Sequence, residues 1–161
     1  HYWGDTFAMG KCGPGATARP PRHPAGIPMW KPPYSRITAI DMNTGEHLWM
    51  IPTGETPNRI KNNPALEGVD IGNTGTGALV PMVATANMLV YSDAASDGTP
   101  MLYAIDKMSG EILDEIEAPA RSSYGMSSWV HDGHQYIILQ TGSKLTAMAL
   151  PGAQAESGGG H

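Results

Sequence analysis

The chain has 161 residues, enough for one domain, and only 16% of them are charged, too few for a helical bundle or a disordered tail. The 20 Gly and 14 Pro follow no fixed period and so imply many turns, as in an all-β protein. The net charge of -5, with no run of Lys or Arg, argues against nucleic acid as a partner, because phosphate binding needs a basic patch.

The sequence opens on His1 rather than Met, and no signal peptide or membrane-length apolar run is recognisable. Residues 1–35 read as an N-terminal loop-rich segment, 36–151 as the strand-bearing body with an inserted loop at 54–77, and 152–161 as a flexible tail rich in Gly and small polar residues. Cys12 is the single cysteine, so an internal disulfide or a Cys-rich metal site is excluded.

From Ile37 the chain repeats itself. Residues 37–49 read Ile-Thr-Ala-Ile-Asp-Met-Asn-Thr-Gly-Glu-His-Leu-Trp, and residues 102–114 read Leu-Tyr-Ala-Ile-Asp-Lys-Met-Ser-Gly-Glu-Ile-Leu-Asp, at an offset of 65. A partial third copy, Leu145 to Leu150, follows the second by 43 residues. Each copy begins with strand-like alternation. A turn follows, in which an Asp side chain can accept a backbone N–H two residues on and Gly supplies a positive φ. Asp41 and Asp106 are therefore read as turn formers rather than catalytic bases.

The 65-residue spacing is about 22 residues longer than the 43-residue one. The excess falls in residues 54–77, which carry no strand pattern and read as a long inserted loop. After it, Leu79–Thr85 and Met88–Tyr91 flank Ala86-Asn87 as a hairpin, and the second repeat copy completes a unit of four strands over residues 78–118. Trp129-Val130 and Gln135–Gln140 form a further hairpin around His131-Asp132-Gly133-His134. A four-stranded unit of about 40 residues has the size of a β-propeller blade. The expected fold is thus all-β, a partial propeller of four-stranded antiparallel blades, two to three in this chain.

The motif Ala39-x-Asp41-x-x-Thr44-Gly45-Glu46-x-x-Trp49 resembles the tryptophan-docking motif of quinoprotein dehydrogenases, in which each Trp packs onto the neighbouring blade. Trp49 is accordingly expected to be largely buried. The second copy has Asp114 where that Trp would stand. Two further stretches, Trp30 to Asp41 and Gly125 to Pro151, are similar to the C-terminal region of membrane-type glucose and quinate dehydrogenases of this family. The matches cover most of residues 28–151.

The resemblance implies a pyrroloquinoline quinone (PQQ) cofactor on the propeller axis with Ca²⁺ or Mg²⁺ beside it. It implies a sugar or polyol substrate, a quinone or cytochrome as electron acceptor, and a periplasmic, membrane-associated setting. It also implies that the catalytic base, the quinone-facing Lys and the metal ligands lie on blades outside this chain, so no catalytic or metal-binding residue is assigned here. The remaining blades of the parent propeller are the expected partners. By family position, Thr76 and Gly77 at the start of a blade and Thr141 and Gly142 in the loop after Gln140 are the cofactor-binding candidates.

Two departures stand out. The loop after Gln140 is only Thr141-Gly142-Ser143 and lacks the Trp of alcohol-oxidising relatives. The adjacent-cysteine pair of those relatives is also absent, which leaves sugar or polyol as the preferred substrate class. The rival reading is a non-catalytic propeller, such as an outer-membrane assembly lipoprotein.

Other polar residues read as structural. Asp93 and Asp97 bracket a short loop and are assigned to a solvated turn rather than a Ca²⁺ site. His131 and His134 flank a turn and are not expected to share a metal.

Overall fold

The computed structural model describes residues 23–122 and 124–149, and Cys12 and the predicted tail lie outside them. Among the described residues nine strands form three antiparallel sheets. The first sheet pairs β1 (Arg36–Ile40) with β2 (His47–Pro52). The second has the sequential order β3 (Met82–Ala84), β4 (Met88–Ala94), β5 (Pro100–Asp106) and β6 (Ile112–Glu117). The third runs β7 (Met126–His131), β8 (His134–Thr141) and β9 (Lys144–Ala149). This is the expected all-β architecture, with one complete four-stranded blade between two partial ones.

The repeat turns form as their chemistry dictates. In the first copy Asp41 Oδ1 accepts from the Asn43 amide at 2.7 Å, and Gly45 takes a φ of 76°. In the second, Asp106 Oδ1 accepts from the amides of Met108 and Ser109, both at 2.8 Å. Both copies carry a β-bulge at the same place, between Ala39 and Ile40 and between Ala104 and Ile105. The extra residue twists the strand into the turn.

The middle sheet is apolar on both faces because it lies between the other two. Tyr91, Tyr103 and Ile105 bury against Ile37, with Trp49 and Ile51 at the margin. Tyr91 and Tyr103 are cross-strand partners and stack at 5.0 Å between centroids. From the opposite face Val90 and Leu102 bury against Ile137 and Leu139.

Trp49 docks on the next sheet: its indole N–H donates to the Lys107 carbonyl at 3.2 Å, and its ring covers Gly110 so closely that a Cβ there would lie 2.7 Å from it. Most of its surface is covered, as expected of a docking residue, and the ring packs against the Ile37, Tyr91, Tyr103 and Ile105 cluster.

Two strand boundaries differ from expectation. Of Leu79–Thr85 only Met82–Ala84 pairs, while β4 continues past Tyr91 to Ala94. The inserted segment holds no strand, as expected. It contains one helical turn, Asn58–Lys61, and a 3-10 turn, Pro64–Leu66, whose Asn63 cap accepts from the Ala65 amide.

Candidate functional site

Asp93 is the centre of the most constrained polar cluster. It was expected in a solvated turn with Asp97, but it is fully buried near the end of β4. The strand is longer than expected: β4 extends three residues beyond Tyr91, to Ala94, and carries Asp93 in with it, while Asp97 remains in the exposed turn.

Three groups satisfy the Asp93 carboxylate. Thr76 Oγ1 donates to it at 2.8 and 2.9 Å to the two oxygens, the Ala94 amide donates at 3.0 Å, and Arg121 Nη2 lies 2.5 Å from Oδ1. Burial raises the Asp93 pKa above the ordinary carboxylate value, against the opposing pull of Thr76 and Arg121.

A group whose folded pKa is raised contributes stability at low pH and loses it as the pH rises through the folded value. The stability of the chain relative to Asp93→Asn should therefore fall as pH climbs from about 4 toward neutrality. Denaturant melts of both proteins across that range measure the slope, and a difference that grows with pH would refute it.

The inserted segment closes over Asp93. Gly54 (φ 62°) sits so close that a Cβ would lie 2.8 Å from the Ala94 carbonyl and 2.9 Å from the Asp93 carboxyl carbon. Asn73 Nδ2 donates to the Gly54 carbonyl at 2.8 Å, and the Thr74 amide donates to Thr56 Oγ1 at 2.8 Å. Thr53 is wholly buried there, with its side chain beside the Asp93 carboxyl. At the outer rim Glu55 accepts from the Ser96 amide and hydroxyl, and Lys61 completes the group, 3.7 Å from the Glu55 carboxylate. The Ser96 hydroxyl, ahead of the other contributions, holds the Glu55 carboxyl below its ordinary value.

Arg121 and Ser122 tie this cluster to the third sheet. The Ser122 amide donates to Ser92 Oγ at 3.2 Å, and its hydroxyl donates to the carbonyl of Gln140 at 3.0 Å. The end of β4, the inserted segment, the β6–β7 loop and the end of β8 are thereby bonded together at one end of the sheets. Nothing in the sequence singled out Arg121 or Ser122, because both stand in a Pro-, Ala- and Ser-rich loop without periodicity.

All four candidate cofactor residues lie at this end, in different states. Thr76 spends its hydroxyl on Asp93, and the Gly77 amide donates to Ser35 Oγ at 2.9 Å. Thr141 pairs its hydroxyl with Thr146 at 3.3 Å, and Gly142 (φ 63°) is at the exposed β8–β9 turn with open space around its Cα.

His131 and His134 prove to be cross-strand partners beside the turn, both exposed, with His131 Nε2 3.3 Å from Asp132 Oδ2. Among the described residues no group of three or more His, Cys, Asp and Glu could hold a metal. An apolar cavity of about 160 Å³ lies elsewhere, between the second and third sheets, lined by Val90, Leu102, Ala104, Leu113 and Ile137.

Residues 6–137 match the model of the PQQ glucose/ethanol/alcohol dehydrogenase β-propeller domain. The chain belongs to that family. Among the quinoprotein dehydrogenases it resembles, it is 30% identical over 135 residues to the glycerol dehydrogenase large subunit of Gluconobacter thailandicus, covering 76% of this chain and 18% of that protein. It is 26% identical over 138 residues to quinoprotein glucose dehydrogenase A of Acinetobacter calcoaceticus, covering 80% of this chain and 17% of that protein. It is 30% identical over 122 residues to the quinate/shikimate dehydrogenase (quinone) of Acinetobacter baylyi, covering 73% and 14%. The chain thus spans less than a fifth of the length of these PQQ dehydrogenases. No solved structure matches it. The PQQ dehydrogenase family and the three sheets agree: the docking Trp49, the repeat turns and the blade order are those of a propeller section.

Proposed function

We propose that this chain is a section of a PQQ-dependent dehydrogenase that removes two electrons and two protons from a hydroxyl-bearing carbon of a sugar or polyol. The electrons pass on to a respiratory quinone or cytochrome, in a periplasmic, membrane-associated enzyme. The observation that carries the reading is the family match across residues 6–137, which spans both full repeat copies and the docking Trp49.

The quinone, when bound, supplies the two-electron acceptor, and a Ca²⁺ or Mg²⁺ beside it polarises its carbonyl. The described residues do not enclose such a cofactor by themselves. Thr76 and Gly77 have committed their donors within the fold, Gly142 faces open space, and the one cavity described above lies between sheets.

This chain's own residues contribute rigidity: Asp93, Thr76, Arg121 and Ser122 fix the loops at one end of the blades. The base and metal ligands belong to the remaining blades, which are the proposed partners. A propeller shields its axis when the ring closes, and a closed ring of about 40-residue blades needs roughly 300 residues or more. The 161-residue chain with added PQQ and Ca²⁺ should thus show no dye reduction with glucose, glycerol or quinate, whereas the intact parent should turn over at least one of them. Turnover by the chain alone would overturn the assignment of the base to other blades. An intact parent inert with PQQ would overturn the enzymatic reading.

A further inference from the structure

The two joints between the sheets are built to one plan but filled differently. Strand register fixes the equivalence. Trp49 on β2 pairs with Ala39, and Asp114 on β6 pairs with Ala104, the same positions one repeat later. Tyr91 pairs with Tyr103, and Leu139 pairs with Thr146, the counterpart of Tyr103 in the third copy. The first joint thus receives three aromatic rings, those of Trp49, Tyr91 and Tyr103. The second has Asp114, Leu139 and Thr146 at the same places, and no aromatic ring packs into its cluster.

The unfilled volume is on the structure. The apolar cavity of about 160 Å³ lies in this second joint, with Asp114 in its wall beside Leu102, Ala104 and Ile137. An apolar void of about 150 Å³ stays dry and takes up a benzene-sized molecule. Offset or edge-on packing against aliphatic walls is what an aromatic ring does best, as Trp49 does in the first joint. The mouth is polar. Asp114 is exposed, and its Oδ1 accepts from the Glu115 amide at 2.8 Å, which leaves the other oxygen to accept from a visitor. Glu115 also contributes to the wall, so two carboxylates repel an anion there.

We propose that this joint is a binding site for a small, neutral aromatic amine, its ring in the space left where the docking tryptophan is absent and its N–H on the Asp114 carboxylate. The site is separate from the Asp93 cluster and does not depend on the dehydrogenase reading.

The test is a calorimetric titration of the intact parent protein with three probes of one ring each: aniline, toluene and benzoate. Aniline should bind with a Kd on the order of 1 mM, within the reach of so small a ligand. Toluene, without the N–H, should bind about threefold to tenfold more weakly, and benzoate more weakly still. Ala104→Leu and Asp114→Trp each fill the cavity and should weaken aniline about tenfold or more. Asp114→Ala keeps the room but removes the acceptor, so aniline should fall to the level of toluene.

Methyl resonances of Leu102 and Ile137 in the unaltered protein give a second readout that needs no variant to fold. Aniline should shift them more than methyls of the first joint. Absent or evenly spread shifts, benzoate binding as well as aniline, or aniline affinity unchanged in a folded Ala104→Leu or Asp114→Trp variant would each overturn the site. A parent that binds aniline here yet oxidises no polyol would uphold it and refute the dehydrogenase reading instead.

Discussion

Replacing Gly54 by Ala should destabilise the chain by about 3 kcal/mol or more, while the same change at Gly45 should cost only about 1 kcal/mol. Both glycines have positive φ, 62° and 76°, so both substitutions incur the left-handed backbone penalty. They differ in their surroundings. A Cβ at Gly45 meets nothing within 4 Å. At Gly54 it would strike the Ala94 carbonyl, the Thr76 methyl and the Asp93 carboxyl carbon, all inside 3 Å. The carbonyl belongs to β4 and cannot move without disturbing the sheet, and moving Thr76 breaks its bonds to Asp93. The overpacking cost of roughly 1–3 kcal/mol thus adds to the backbone cost at Gly54 alone. Urea melts of the two variants give the comparison, and midpoints that coincide would show that the inserted segment does not close tightly on Asp93.

Leu139→Ala should cost about 3–4 kcal/mol, near the middle of the range for a buried Leu. Leu139 is completely buried on β8, against Val90, Leu102 and Ile137. It is the wholly buried residue that β8 contributes to the joint between the second and third sheets. Truncation there leaves a void between the second and third sheets, and they cannot slide together to fill it because the Ser122 bonds fix their spacing. Leu145→Ala on the neighbouring strand is the control: Leu145 is 73% exposed, and its loss should stay within about 0.5 kcal/mol. Equal effects at the two positions would mean that the sheets are not joined through this cluster.

How far the sequence led depended on the kind of signal. Turns defined by Asp, Asn and Gly at fixed offsets came out where their chemistry places them, at Asp41–Gly45 and Asp106–Gly110. Strand alternation was enough to place four sequential strands over residues 78–118. It failed at strand ends, where tertiary contacts rather than propensity decide. β3 shrinks because Pro81 has no amide to donate to the ladder, although its carbonyl still accepts from Ser92 on β4. β4 lengthens because Asp93 finds Thr76 and Arg121. Those partners come from 17 residues before and 28 after it, and no local pattern announces them. The docking Trp49 was legible both as a contact and as a mostly covered ring, because the motif carries its partner turn with it. The cofactor candidates rested on family position alone, and the structure shows only that they lie at one end of the sheets.

Trp49 has a consequence for the order in which the molecule is made. Its bond to Lys107 reaches across 58 residues, the longest span among the described side-chain hydrogen bonds. Every other inter-sheet bond described here joins elements nearer in sequence. A growing polypeptide therefore needs nothing from far downstream to complete each joint. When Gly110 has left the ribosome, the surface that receives Trp49 exists, and the first two sheets can lock while the third is still being translated. Domains that emerge in this way fold from the N-terminal side at about 5–20 residues per second of synthesis. Each newly finished sheet would then cap the apolar face of the one before it, and little greasy surface would wait uncovered for a misplaced neighbour.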